Sequence, residues 1–356
     1  MPYHDRLAVS WDAHTAPRAP GAPTVVSTFA GAGGSSLGYS MAGFDERLAV
    51  EWNPQQAASF RANFPDVPLH LGDIAELTDA DALRLARVEP GELDVFDGSP
   101  PCQGFSTAGR RKFDDTRNQL FREYVRLLRA FHPRAFVMEN VRGMVIGKMR
   151  LIFNAAIAEL RDAGYTVSAR VLLAGNYDVP QYRARLVVVG IRNDIAALGV
   201  LPSHPLPHRF VPNVREAWHG LVNDDAEIAL ACFKPEQVGH ALLTRMKPGE
   251  YGEKYHPNGA YYSHHRLSFD KPSTAILRNG GTGGACEACH PTELRRVTIA
   301  EAKRLTSFPD PYVLLGNFEQ RWAAIGNCVP PHFMRAIAAH VHSLLAQAEE
   351  QRAKAA

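Results

Sequence analysis

From Thr24 to about Arg192 short apolar or β-branched runs alternate with helix-patterned segments, and few folds accommodate that alternation. The runs are Val25–Phe29, Leu48–Glu51, Leu69–Leu71, Leu93–Phe96, Ala135–Met138, Val167–Leu173 and Leu186–Ile191. Strands separated by helices need crossover connections, which predicts an α/β fold with a doubly wound, mostly parallel sheet. Between the runs, Leu120, Phe121, Tyr124, Leu127, Leu128 and Phe131 share one helical face, and Leu151–Leu160 forms a second helix that Gly164 can end. The last two runs are joined by Asp178-Val179-Pro180 with no helical pattern. They are expected to pair as an antiparallel hairpin at one edge.

The alternation divides the chain. Residues 1–23, rich in Pro and Ala, are expected to be a loose N-terminal arm, and 24–192 the sheet domain. Residues 193–277 lose the pattern to many Pro, His and Gly, with no helix longer than a few turns, which predicts a small irregular domain of loops and short strands. A glycine-rich hinge and a helix over Thr298–Ser307 follow in 278–324. In 325–348 a helix from His332 to Ala348, apolar at Phe333, Ile337, Val341 and Leu344, returns to the sheet domain. No run of about eighteen apolar residues and no export signal occurs, so the expectation is a cytoplasmic protein with no membrane contact. Five scattered cysteines are expected to be reduced, and a net charge of +2 requires any basic footprint to be local.

Pro100-Pro101-Cys102-Gln103 leaves the fourth run and leads into a polar stretch with Arg110, Arg111 and Lys112. A cysteine held stiffly at a strand exit near cations reads as a nucleophile toward an anionic substrate, against the alternative of a small buried hydrophobe. The first run enters Phe29-Ala30-Gly31-Ala32-Gly33-Gly34, a turn that brings backbone close to a ligand. Ser36 stands where a dinucleotide fingerprint wants its third glycine. With Glu51 for a ribose diol, Trp52 as a stacking face and Asp73-Ile74 for an adenine edge, the ligand reads as an adenosine without pyrophosphate, such as S-adenosylmethionine; simple turn glycines beside a solvated Glu51 are the alternative. Glu139 ends the fifth run behind Phe136, Val137 and Met138, as a partly desolvated acid or a solvated cap. Alternation puts Gln181, Arg183 and Arg185 on one strand face, suited to a carboxylate, phosphate or base edge, or simply solvated.

With these motifs in order, the chain resembles the bacterial DNA (cytosine-5)-methyltransferase family. The resemblance is carried by Phe29–Gly34, Pro100–Gln103, Glu139-Asn140-Val141, Gln181–Arg185, Arg295–Asp310 and Gly326-Asn327-Cys328-Val329-Pro330-Pro331, from Thr24 to Val341 except the variable segment. It implies catalytic roles for Cys102, Glu139, Arg183 and Arg185: the thiolate adds to C6 of a flipped-out cytosine, Glu139 bonds N3 and the exocyclic amine, and Arg183 braces the base or Glu139. It implies S-adenosylmethionine contacts at Phe29, Gly31, Gly33, Glu51, Trp52, Asp73, Ile74, Pro101, Leu120 and Asn327. Gln103, Ser106, Arg110, Arg111 and Gln181 are implied on the DNA side, residues 104–116 as a closing loop, and 193–277 as the target-recognition domain. It further implies double-stranded DNA as partner, monomeric action, no metal, and a cognate restriction endonuclease as a functional partner.

Ser99 and Thr306 depart from the common family spelling without removing a group the chemistry needs. Cys286-Glu287-Ala288-Cys289-His290 spells a haem attachment site superficially, but reads as unmetallated loop thiols, with zinc as the alternative. An RNA methyltransferase is the nearest rival, disfavoured by Gln103-Gly104-Phe105-Ser106; a catalytically silent cofactor sensor would not need Cys102, Glu139 and Arg183 together.

Overall fold

Strands covered on both faces are mostly apolar, and Val95–Gly98 and Ala135–Val141 are buried along nearly their whole lengths, with polar residues only toward their carboxyl ends. A computed structural model describes residues 1–101, 116–256, 259–260, 264–280 and 287–355. Its strands are β1 (Thr24–Thr28), β2 (Asp45–Glu51), β3 (Leu69–Leu71), β4 (Val95–Gly98), β5 (Ala135–Val141), β6 (Tyr165–Leu173), β7 (Gln181–Tyr182), β8 (Ala184–Arg192) and β9 (Ser273–Thr274). Seven form one sheet in the order β3-β2-β1-β4-β5-β8-β6. β1 to β5 pair in parallel, whereas β8 runs antiparallel to β5 from Ala135↔Ile191 to Val141↔Arg185. The strand order reverses between β1 and β4, so the crevice at their carboxyl ends is where a ligand site belongs.

The chain forms two compact units. The sheet unit comprises Ala16–Leu172, Ala184–Leu206 and Met334–Ala356; the other comprises Met1–Thr15, Leu173–Arg183 and Pro207–Phe333. The chain leaves the sheet unit at 173, re-enters at 184, leaves again at 207 and returns at 334. In the sheet unit the helix Thr116–Phe131 lays Tyr124, Leu127, Leu128 and Phe131 against Phe96, Phe136 and Met138. Arg134, joined to both Asp94 and Glu349, ties the C-terminal helix to the sheet.

The second unit differs from its sequence reading at its N-terminal segment. Within the stretch expected to hold loops, short strands and no helix longer than a few turns, residues 214–243 form the short helices Val214–Trp218, Asp225–Ala231 and Val238–Leu243. Caps explain the first two: Asn213 and Glu216 form a reciprocal capping box, and Asp224 accepts from the Ala226 amide at 2.7 Å. The expected loose arm instead contains the helix Tyr3–Thr15, which buries Tyr3, Leu7, Ser10 and His14 at helical spacing. Tyr3 and Leu7 join a core with Val214, Leu267, Ile276 and Trp322, Arg6 pairs with Asp178, and Ser10 meets His332 Nε2 at 2.9 Å.

Docking of this helix is testable. Leu7→Ala should destabilise the second unit by about 2–4 kcal/mol in urea unfolding, the cost of a buried leucine. A loose arm would give a change below about 0.5 kcal/mol, the usual range for surface positions.

Candidate active site

Beyond β1 the chain bends through left-handed backbone at Phe29 (φ 56°), Gly31 (58°) and Gly33 (90°). This conformation is uncommon for phenylalanine and costs on the order of 1 kcal/mol. The turn is held from β2: the Ala30 amide donates to the Val50 carbonyl at 3.0 Å, and the Gly31 amide donates to Glu51 Oε2 at 2.7 Å. The other Glu51 oxygen accepts from the Asn53 amide at 2.8 Å, and Asn53 in turn caps the helix Pro54–Asn63. Burial raises the proton affinity of Glu51, and the backbone amides of Asn53, Gly31 and Trp52 oppose that rise.

Glu51 sits in the wall of a cavity of about 220 Å³ lined by Phe29, Val50, Trp52, Gly72, Asp73, Ile74, Pro101 and Leu120. Seven of the sequence-predicted cofactor residues therefore meet here, and Gly31 reaches the same wall through its bond to Glu51. Val50 and Gly72 were not anticipated; their only sequence signal is adjacency to Glu51 and Asp73. An adenosine needs apolar walls, a flat stacking face and an acceptor for vicinal hydroxyls. Phe29, Ile74 and Leu120, the 74 % exposed Trp52 and the immobilised Glu51 carboxylate match those needs.

Directly after the glycine turn, the helix Gly34–Met41 is buried on every side. Its hydroxyls need partners, and two buried acids provide them: Ser35 and Tyr39 donate to Asp97 at 2.6 and 3.3 Å, and Ser36 donates to Glu46 at 2.8 Å. Burial pushes Asp97 up to about 7, against the Ser35 and Tyr39 hydroxyls, and pushes Glu46 up to about 8.

At the end of β5, Glu139 Oε1 lies 2.8 Å from Arg185 Nε, both side chains nearly buried. Glu139 faces Val187 across the β5–β8 ladder, so Arg185 is its diagonal neighbour on the same face. The next residue, Asn140, donates from Nδ2 to the Pro100 carbonyl at 2.9 Å and accepts from the Val141 amide at 2.9 Å. An acid held by a guanidinium is thus fixed beside the exit of β4, where it can bond the edge of a planar base. Cys102, Gln103, Ser106, Arg110, Arg111 and the closing loop up to residue 115 lie outside the described residues.

The strand expected to carry Gln181, Arg183 and Arg185 on one face breaks at Arg183, and only Arg185 joins the sheet unit. Gln181 is buried, bonded to the Leu305 carbonyl at 3.3 Å and Thr306 Oγ1 at 3.2 Å, while its own oxygen accepts from the Ile276 amide. The Arg183 guanidinium donates to the carbonyls of Ile276, Gly326 and Cys328 at 2.8, 2.9 and 2.9 Å. Both side chains are thus held in the interior by these partners, where the sequence reading gives Gln181 a DNA contact and Arg183 a catalytic role. Arg183 pins the backbone on both sides of Asn327, which is exposed at the end of the helix Phe318–Asn327. A Cβ at Gly326 would fall 2.5 Å from the Leu277–Arg278 backbone, so this turn admits only glycine. Elsewhere in that unit Cys289 Sγ is buried 3.7 Å from His264 Nδ1, and His290 stacks on Trp218. No group of three or more potential metal ligands occurs among the described residues.

The family model described as C-5 cytosine-specific DNA methylase matches residues 24–343. The chain is 35% identical over 331 residues to the type II methyltransferase M1.HphI of Haemophilus parahaemolyticus, covering 88% of this chain and 85% of that protein. It is 31% identical over 376 residues to M.XorII of Xanthomonas oryzae, covering 92% and 87%. Among solved structures, a DNA modification methyltransferase encoded in an Escherichia coli prophage matches with a TM-score of 0.73 and 24% identity, over 91% of this chain and 99% of that one. Spodoptera frugiperda DNMT2 shares the fold at a TM-score of 0.63 and 18% identity, over 91% and 99%.

The buried acids set a pH dependence. Folding raises the proton affinity of Glu46 and Asp97, so between about pH 5 and about pH 8 the folded unit holds protons that the unfolded chain has released. Their contribution to stability is complete below that window and is lost as pH rises through it. The urea midpoint should therefore fall from about pH 6 to about pH 8, and Glu46→Gln should flatten the fall; an unchanged slope in the variant contradicts the assignment.

Proposed function

The chain belongs to the C-5 cytosine-specific DNA methylase family, and from that membership we propose that it methylates a flipped-out cytosine through a covalent adduct on Cys102. It is a DNA cytosine-5 methyltransferase, and its methyl donor is S-adenosylmethionine. When bound, that cofactor supplies an electrophilic methyl group on a sulfonium centre. The residues at the cavity fit its adenosine half: Glu51 would hold the ribose hydroxyls, Trp52 would offer a stacking face for the adenine, and Asp73 and Ile74 would take the adenine edge.

The chain's own residues prepare the base. Extrusion of the cytosine from the duplex costs a few kcal/mol and exposes its Watson–Crick edge. Glu139 accepts from the exocyclic amine and shares a proton with N3, since two acceptors cannot bond without one. Arg185 holds Glu139 in place for that contact. A free cysteine is only a few per cent thiolate at pH 7, and withdrawal of ring electrons by the proton at N3 favours its attack. The Cys102 thiolate then adds to C6 and converts C5 into a nucleophile. After C5 is methylated, loss of its proton restores the ring double bond and expels the thiolate. Residues 193–277 read the recognition sequence, through side chains in the major groove.

The observation that supports this reading most is the joint placement of Glu139 against Arg185 and Asn140 against Pro100, two residues before Cys102. We further read the enzyme as a cytoplasmic monomer whose functional partner is a cognate restriction endonuclease, since the relatives above are type II methyltransferases. No described helix is long and apolar enough to cross a membrane.

Labelled S-adenosylmethionine should transfer its methyl group to duplex DNA and not to tRNA. Cys102→Ala should abolish transfer, and Glu139→Gln should lower kcat by about a hundredfold or more, as for loss of a proton-transfer group. Label on tRNA alone, or activity in Cys102→Ala, overturns the reading. By calorimetry, Glu51→Ala should weaken S-adenosylmethionine binding about tenfold to a hundredfold, the loss of bonds to a charged acceptor.

A further inference from the structure

The segment that follows Glu139 is unused by the chemistry above. From Val141 to Ala158 it contains Arg142, Lys148 and Arg150 and no Asp or Glu, in a chain whose basic and acidic residues number 39 and 37. All three cations are exposed, and none forms an ion pair among the described residues. Beside them Val141, Ile146 and Leu151 are 41%, 53% and 75% exposed. The segment has a defined conformation: Met144 is buried in the sheet core, the Ile146 amide donates to the Gly143 carbonyl at 3.2 Å, and Gly147 turns the chain at φ 59° into the helix Met149–Asp162. It emerges from the carboxyl end of β5, the sheet edge from which the Phe29–Gly33 turn and Pro100–Pro101 also emerge.

An unbalanced positive ridge continuous with a site for a base fits the partner that carries the base. We propose that Arg142, Lys148 and Arg150 contact backbone phosphates of the duplex flanking the target cytosine, with Ile146 and Leu151 against deoxyribose. The proposal rests on the DNA methyltransferase reading. Cations that neutralise phosphates release condensed counterions, so each contact has its own salt signature, independent of sequence. The ridge therefore contributes affinity and orientation, and the recognition sequence is read elsewhere.

The test is binding of a fluorescent mixed-sequence duplex across a salt series, for wild type, Arg142→Gln, Lys148→Gln, Arg150→Gln and the triple variant. Each single substitution should reduce the slope of log K against log salt by about 0.9. The triple variant should bind at least about tenfold more weakly at low salt and have a raised KM for DNA, while its affinity for S-adenosylmethionine matches wild type. A wild-type slope in the single variants overturns the proposal, as does a change in oligomeric state without a change in DNA affinity, which would mark a self-association face. The single variants alter exposed side chains and decide the question even if the triple variant folds poorly. Should wild type methylate no DNA, the functional reading fails; methylation by wild type with unchanged slopes in the variants removes only the ridge.

Discussion

One buried amide holds the exits of two neighbouring strands together. The β4–β5 ladder ends at Gly98↔Met138, and two residues further on Asn140 Nδ2 donates to the Pro100 carbonyl. Its Oδ1 simultaneously accepts from the Val141 amide, so both ends of the side chain are fixed. Glu139 on one side and Pro101 on the other are thereby held in mutual register, and Cys102 follows Pro101 directly in the chain. An apolar residue at 140 would leave a buried carbonyl without its donor, at a cost of about 1–3 kcal/mol. More important than that energy is position, since displacement of a reacting group by about 1 Å can cost a hundredfold in rate.

The cofactor side of the site depends on a related device, polar groups used as internal fasteners. Glu51, in the wall of the cavity, fixes the glycine turn through Gly31 with one carboxylate oxygen and the start of the next helix through Asn53 with the other. Asp97 and Glu46 secure the wholly buried helix behind that turn, at the cost of carboxyl groups that resist ionisation. In the second unit Arg183 does the equivalent work with three carbonyls, and Arg295 pairs through two nitrogens with the buried Glu301. Such networks specify one geometry because removing a single member strands its partners.

The sheet and most of the cavity wall were legible in the sequence, because strand runs, glycine turns and strand-end acids are local patterns. Glu51, Trp52, Asp73 and Ile74 could be named from their distance past a strand. The helix Tyr3–Thr15 was not, since only two of its four buried positions are large apolar residues and its anchor, His332, is 322 residues from Ser10. The burial of Gln181 and Arg183 was not legible, for a physical reason. Period-two alternation assigns a face but not a solvent, and their partners, Leu305, Thr306, Ile276, Gly326 and Cys328, come from the far end of the chain. Arg185, with the same local pattern, meets Glu139 because β8 lies next to β5, a pairing that strand order decides and spacing does not.

The central claim is that Cys102 forms a bond to cytosine C6 beside Glu139. A duplex carrying 5-fluorocytosine at the methylated position lacks the C5 proton that must leave, so the adduct should persist. Intact-mass spectrometry after incubation with S-adenosylmethionine should show protein and methylated strand joined one to one, with peptide mapping placing the link on Cys102. A linkage mapped to another residue, or methyl transfer to ordinary duplex DNA with no trapped species on the fluorinated one, would contradict the account.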